Sequence, residues 1–97
     1  MPKVATPKGL GSDGSALFEA VLSDYAITDA AHRAHLQRAA EALDRIVAAR
    51  AELRRSGLTI RDRHGVPRPH PLIAIERAAL SAYFAAFRAL RLEPPEV

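Results

Sequence analysis

Histidines, serines and arginines are the side chains here whose types and spacing could support chemistry. His32 and His35 stand three residues apart, one helical turn, which is a spacing that metal ligands use. A zinc ion needs further ligands at defined positions, and the nearest carboxylate, Asp29, is committed to capping a helix, so the pair reads as surface histidines. His64 lies in a turn and His70 at a helix start. Ser12, Ser15, Ser23, Ser56 and Ser81 have no neighbouring acid/base pattern of the kind that activates a nucleophile. Asp13, Asp24, Asp29 and Asp44 are explained by caps and helix surface rather than as paired carboxylates. Gly9-Leu10-Gly11 and Gly11-Ser12-Asp13-Gly14 lack the preceding strand and the Lys-Ser/Thr ending of a phosphate-binding loop. The expectation is a chain without a catalytic site, a metal or a cofactor.

Charge is the remaining chemistry. The chain carries 14 basic residues, 12 of them arginine, against 11 acidic ones, for a net charge of +3. From Arg45 to Arg68 seven arginines (Arg45, Arg50, Arg54, Arg55, Arg61, Arg63, Arg68) face only Glu52 and Asp62, a local balance of +5. Such a block suits a phosphate backbone, and it serves equally as a solvated helix end and hairpin rim. Arg54 and Arg55 fall in a helix's last turn, where interaction with the dipole accounts for them without a ligand.

The elements that must position these residues follow from composition and period. Ninety-seven residues, 48% hydrophobic and 26% charged, make one small folded domain. A domain of this size buries only about 60 to 65% of its unfolded surface, and oligomerisation is the usual remedy. There is no cysteine, which excludes a disulfide scaffold, an iron-sulfur cluster and a thiol nucleophile. The longest run without a charge, Ala78 to Phe87, is ten residues, about half of what crosses a bilayer. No signal peptide is expected.

Twenty alanines, nearly all in two long stretches, predict a mostly helical fold. Residues 1–11 read as a flexible basic arm. Ser12 or Asp13 can cap a first helix, in which Leu17, Phe18, Val21, Leu22 and Tyr25 form one apolar stripe. Asp29 or Thr28 caps a second helix running to about Ser56, where Gly57 supplies the stop; it would be about 40 Å long. Its seam is Leu36, Ala39, Ala40, Leu43, Ile46, Val47, Arg50 and Leu53. Arg33, Gln37, Arg38, Glu41, Asp44, Arg45 and Glu52 take the other side, with Glu41 paired to Arg38 and Arg45. Leu58 to Arg61 alternates, Asp62 to Gly65 is turn chemistry, and Val66 to Pro69 returns. This is a small hairpin whose prolines confine the second strand to an edge.

His70-Pro71 opens a third helix ending near Leu90. Its large side chains, among them Leu72, Ile73, Leu80, Tyr83, Phe84 and Phe87, cover far more than the roughly 100° stripe that one intramolecular face needs. Three helices cannot cover it, so these six residues are predicted to form a subunit interface.

The order of pieces also resembles a known family. Gly11 to Glu19 opening a helix, Asp24-Tyr25-Ala26-Ile27 before a long Ala/Arg/Leu helix with Asp44 in its middle, Gly57 to Arg61, the turn at Gly65, His70-Pro71, and the closing Arg77 to Leu92 helix with Leu92-Glu93-Pro94 are together similar to the small terminase subunits of tailed bacteriophages. The likeness covers about residues 9 to 95, and the alanine and arginine bias fits phages of high-GC bacteria. It implies a non-enzymatic packaging factor that forms a ring-shaped homo-oligomer and binds concatemeric double-stranded viral DNA. It would work beside the large terminase subunit, which holds the ATPase and nuclease, in the cytoplasm of an infected or lysogenic bacterial host. Longer members carry an N-terminal extension where this sequence has only Met1 to Leu10, so a separate helix-turn-helix reader is not expected.

The expected architecture is therefore all-α: three helices with a long central one, and a small β-hairpin between the second and third. Residues 1–11 are the arm, 12–92 the oligomerisation and packaging domain, and 93–97 a tail. Phosphate contacts are expected from Lys3 and Lys8, from Arg33 and Arg38, and from Arg61, Arg63 and Arg68 on the hairpin. The main rival is a helical homo-oligomeric adaptor that binds protein only. A dimeric regulator with a helix-turn-helix from the first two helices is disfavoured, because the second is too long for a recognition helix.

Overall fold

A computed structural model describes residues 5–92. Three helices and one hairpin follow in order: α1 (Ser12–Asp24), α2 (Ala30–Ser56), β1 (Thr59–Arg61), β2 (Pro67–Pro69) and α3 (Leu72–Leu90). α2 is the spine, with α1 and α3 both laid against it, and the molecule is elongated at 60 × 25 × 23 Å.

Each helix boundary has a local cause. Asp29 caps α2 through its carboxylate, which accepts from the His32 N–H at 3.2 Å. At the other end the Gly57 N–H donates to Leu53 O, with Gly57 at φ +83°, a conformation glycine adopts without a steric penalty. α3 begins one residue later than Pro71: the His70 ring nitrogen Nδ1 accepts from the Leu72 N–H at 3.1 Å and His70 O accepts from Ile73 at 3.0 Å. His70 is therefore a helix-start residue.

The start of α1 departs from the expectation. Neither Ser12 nor Asp13 caps it; Gly11 holds the N-cap position and offers no side chain. The cap comes from α2, where Asp44 Oδ2 accepts from the Gly11 N–H at 2.7 Å and Oδ1 from the Gly14 N–H at 2.9 Å. Asp44 thus leaves the solvent side predicted for it and faces α1. The fit is close enough that a Cβ on Gly14 would lie 2.7 Å from the backbone oxygen of Ala40. Only hydrogen fits there.

α2 consequently buries two strips. Ala39, Ala42, Ile46, Ala49 and Leu53 are buried, as are Ala79, Ala86 and Leu90 on α3, and small side chains on both helices let the axes approach closely. Leu36 and Ala40 join Phe18 and Val21 of α1 and Leu90 of α3 in the main core cluster, with Phe87 and Leu92 packed on its edge. The predicted seam was too narrow: Ala42 and Ala49 are inside, whereas Arg50 is exposed and Val47 is 40% exposed. α1 reaches along α2 only as far as Asp44, and Val47 lies one turn beyond that point.

The hairpin pairs antiparallel, Thr59 with Pro69, Ile60 with Arg68 and Arg61 with Pro67. His70 N donates to Leu58 O and Asp62 N to Val66 O, which by alternation makes Ile60/Arg68 the hydrogen-bonded pair between them. Pro67 and Pro69 therefore occupy positions where an N–H would point away from β1, and the ladder loses nothing.

Candidate nucleic-acid interface and assembly surface

The hairpin and the end of α2 gather cations at one end of the molecule. Asp62 organises the turn: its Oδ1 accepts from the backbone N–H of His64 at 2.8 Å and of Val66 at 3.0 Å, and its Oδ2 accepts from Arg68 Nε at 3.2 Å. The Val66 N–H, helped by His64 and Arg68 and opposed by partial desolvation, holds the Asp62 carboxyl below its usual range. Arg61 donates from Nη1 to Gly65 O at 2.8 Å. Among the described residues Arg63, at the turn, has no ion pair within 4 Å.

These three arginines do not share a face. Strand alternation sets Arg68 beside Ile60, Asp62 and Val66, and Arg61 on the opposite face with Thr59 and the prolines. Both faces are exposed: Leu58 at 65%, Val66 at 44% and Ile60 at 38% on the Arg68 face, and Thr59, Arg61, Pro67 and Pro69 on the other. The neighbouring helix end adds Arg54 and Arg55. Arg55 is bound to Glu52 at 2.6 Å, and its guanidinium together with the Ser56 hydroxyl holds Glu52 below the usual carboxylate range. The remaining predicted contacts are scattered. Lys8 is exposed beside α1, Arg33 is half-buried with Nη1 donating to Thr28 O at 2.8 Å, and Arg38 is exposed on the α2 face away from α1. Lys3, like the tail 93–97, lies outside the described residues. The arm's described part is seated, since Thr6 donates to Glu19 Oε1 at 2.9 Å and Leu10 packs on the core edge.

α3 divides its apolar surface into two flanks around the strip that meets α2. One flank holds Ile73, Leu80, Phe84 and Phe87, on the side of α1; Phe84 is 54% exposed and the other three are half-buried. Tyr83 packs edge-on to Phe84, with ring centroids 5.5 Å apart, and also against Phe87 at 4.9 Å. Leu72 is half-buried at the hairpin end. The other flank carries Ile75, 48% exposed, toward the hairpin end and then alanine, with Ala82, Ala85 and Ala89 beside Arg38 and Arg45 of α2 in a groove of about 490 Å³.

Two features escaped sequence reasoning. Asp44 acts on a backbone 30 residues away, and a sequence shows no partner at that distance. The alanine groove had a signal: Arg38 and Arg45 are seven apart on one helix face, and Ala82, Ala85 and Ala89 share another. The predicted pairing of Glu41 with those arginines does not form; the ion pairs between arginine and carboxylate among the described residues are Arg50–Glu76, Arg55–Glu52 and Arg68–Asp62.

A helical spine, one cationic end, an aromatic flank exposed on α3 and an open groove between α2 and α3 are the surface features that the described residues present. The family model for the phage terminase small subunit matches residues 18–96, and the chain belongs to that family. Its place is accordingly in phage DNA packaging, in a family that is generally non-catalytic. No curated protein and no solved structure matches the chain. Among the described residues no helix is long and apolar enough to cross a membrane.

Proposed function

We propose that the protein is a non-catalytic packaging factor that assembles as a homo-oligomeric ring, holds double-stranded viral DNA through its phosphates, and serves the large terminase subunit in the host cytoplasm. The observation that carries the assembly is surface left uncovered. The chain exposes 7223 Å², where a compact monomer of 10.5 kDa exposes about 5,400 Å². The difference, roughly 1,800 Å², is about twice the ~800 Å² that one partner gives up in a standard interface, as two interfaces per subunit of a ring would take. The aromatic flank of α3, with Phe84 and Leu80, is the surface such an interface would take.

DNA binding rests on the family and on the cationic end, where Arg61, Arg63 and Arg68 stand on a protruding hairpin and a ring repeats each one by symmetry. Contacts of this kind are electrostatic and read little sequence. The adaptor reading keeps one observation in its favour: Arg61 and Arg68 are already engaged within the hairpin and point from opposite faces. Light scattering of the purified protein at low and high salt, followed by duplex DNA titration at several salt concentrations, tests both parts. A discrete multimer whose DNA affinity falls steeply with salt is expected. A monomer overturns the ring, and a multimer without DNA affinity leaves the adaptor.

A further inference from the structure

The groove between α2 and α3 opens on the face of the molecule away from α1. Its floor is Ala42 and Ala86, both buried, with Ala82, Ala85 and Ala89 continuing it, and Arg38 and Arg45 stand on its rim. Glu41 and His35 are the other titratable groups there. Neither arginine has an ion pair among the described residues. A groove walled by alanine admits only something thin, and a rim with two unpaired guanidinium groups favours something acidic.

α1 has that description. It carries Asp13, Glu19 and Asp24 and no cation. Its outward face is exposed and has Ser12, Ala16, Ala20 and Ser23 along the crest, with Glu19, which accepts from Thr6 of the arm, on one flank and Asp13 and Asp24 on the other. No crest side chain is larger than serine, so two backbones can approach to roughly 8 Å. The lengths agree as well: Ser12 to Ser23 spans about 16 Å of helix and His35 to Arg45 about 15 Å.

We infer that the carboxylate-flanked crest of α1 docks in the alanine groove of the next copy of this chain, an inference that rests on the homo-oligomer proposed above. Crest and groove lie on opposite faces of one molecule. The contact is therefore heterologous, front to back, and each subunit offers both halves. The aromatic flank lies on the same face as the crest, so Phe84 approaches the neighbour beside α1. Arg38 then meets a neighbour's carboxylate.

The absence of cysteine makes the test direct. Ala20→Cys and Ala85→Cys are introduced singly and together, and the assembled protein is oxidised and run on a denaturing gel. The double variant should give a ladder of covalent multimers, each single variant only monomer, and a mixture of the two singles covalent dimer. Ala20 and Ala85 face opposite sides of one chain, so the bond cannot close within it. Assembly by light scattering without a ladder, or a dimer from one single variant alone, overturns this contact but leaves the oligomer standing. A monomeric unsubstituted chain overturns the oligomer itself and the contact with it. Charge exchange is the second measure: Arg38→Glu with Arg45→Glu should lower the native mass at unchanged helical circular dichroism, and adding Asp13→Lys with Asp24→Lys should restore it. Unchanged mass in the first pair overturns the inference.

Discussion

Gly14 and Asp44 are one joint made by two residues. Replacing glycine by alanine inside a helix ordinarily stabilises by about 0.5 to 1 kcal/mol. Here the added methyl meets the backbone oxygen of Ala40 and the Asp44 carboxylate, so the sign reverses. Gly14→Ala is expected to destabilise by about 1 to 3 kcal/mol, as overpacking does, and to lower the melting temperature followed by circular dichroism. An unchanged or raised melting temperature would show that α1 can step away from α2 at no cost. Asp62 gives a prediction in pH. Its carboxyl is held below its unfolded value, so the order it contributes to the hairpin is fully present above that value and is lost as pH falls through the lower folded one. The Asp62 carboxyl carbon signal should titrate with a midpoint below the ordinary aspartate value of about 3.9; a midpoint at or above that value would contradict this. Gly11, Gly14 and Asp44 were all visible in the sequence, but not their meeting. Local cap rules look a few residues ahead, and this cap comes from another helix.

Among the elements, α3 was the most legible. Its apolar residues exceed any single face, and the structure divides them into a strip on α2, an aromatic flank and an alanine flank. The split itself was hidden, because periodicity shows how wide a face is and not where the neighbours stop. The N-terminal end of α1 sits at Asp44 of α2 and Phe84 stays half open, a matter of relative helix length and not of pattern. Phe84→Asp should lower the native mass while helical content stays largely intact, since the side chain is already 54% exposed in the single chain. Unchanged mass would place the interface elsewhere. The hairpin was also legible, down to the edge role of its prolines, although the opposed directions of Arg61 and Arg68 emerge only from the register. Changing Arg61, Arg63 and Arg68 together to alanine should weaken DNA binding without altering the oligomer. It should also flatten the salt dependence by about 0.9 in log–log slope for each phosphate the hairpin no longer neutralises. Equal affinity and slope would discard the hairpin as the DNA-binding surface.

For the molecule as a whole, shape carries the argument. Three short layers along one spine leave little interior, and the homo-oligomer proposed above would cover part of what the single chain exposes; crest and groove on opposite faces would make that assembly directional. The same elongation governs how the protein travels in solution. A compact chain of 97 residues has a radius of gyration near 12.5 Å, whereas this one has 16.8 Å. Friction follows extent more than mass, so a lone subunit would run through a sizing column like a globular protein well above its 10.5 kDa. A slender monomer and a compact small oligomer would then elute alike. Only when many subunits lie side by side does the long axis cease to dominate, and elution volume and scattered mass should converge as the assembly grows.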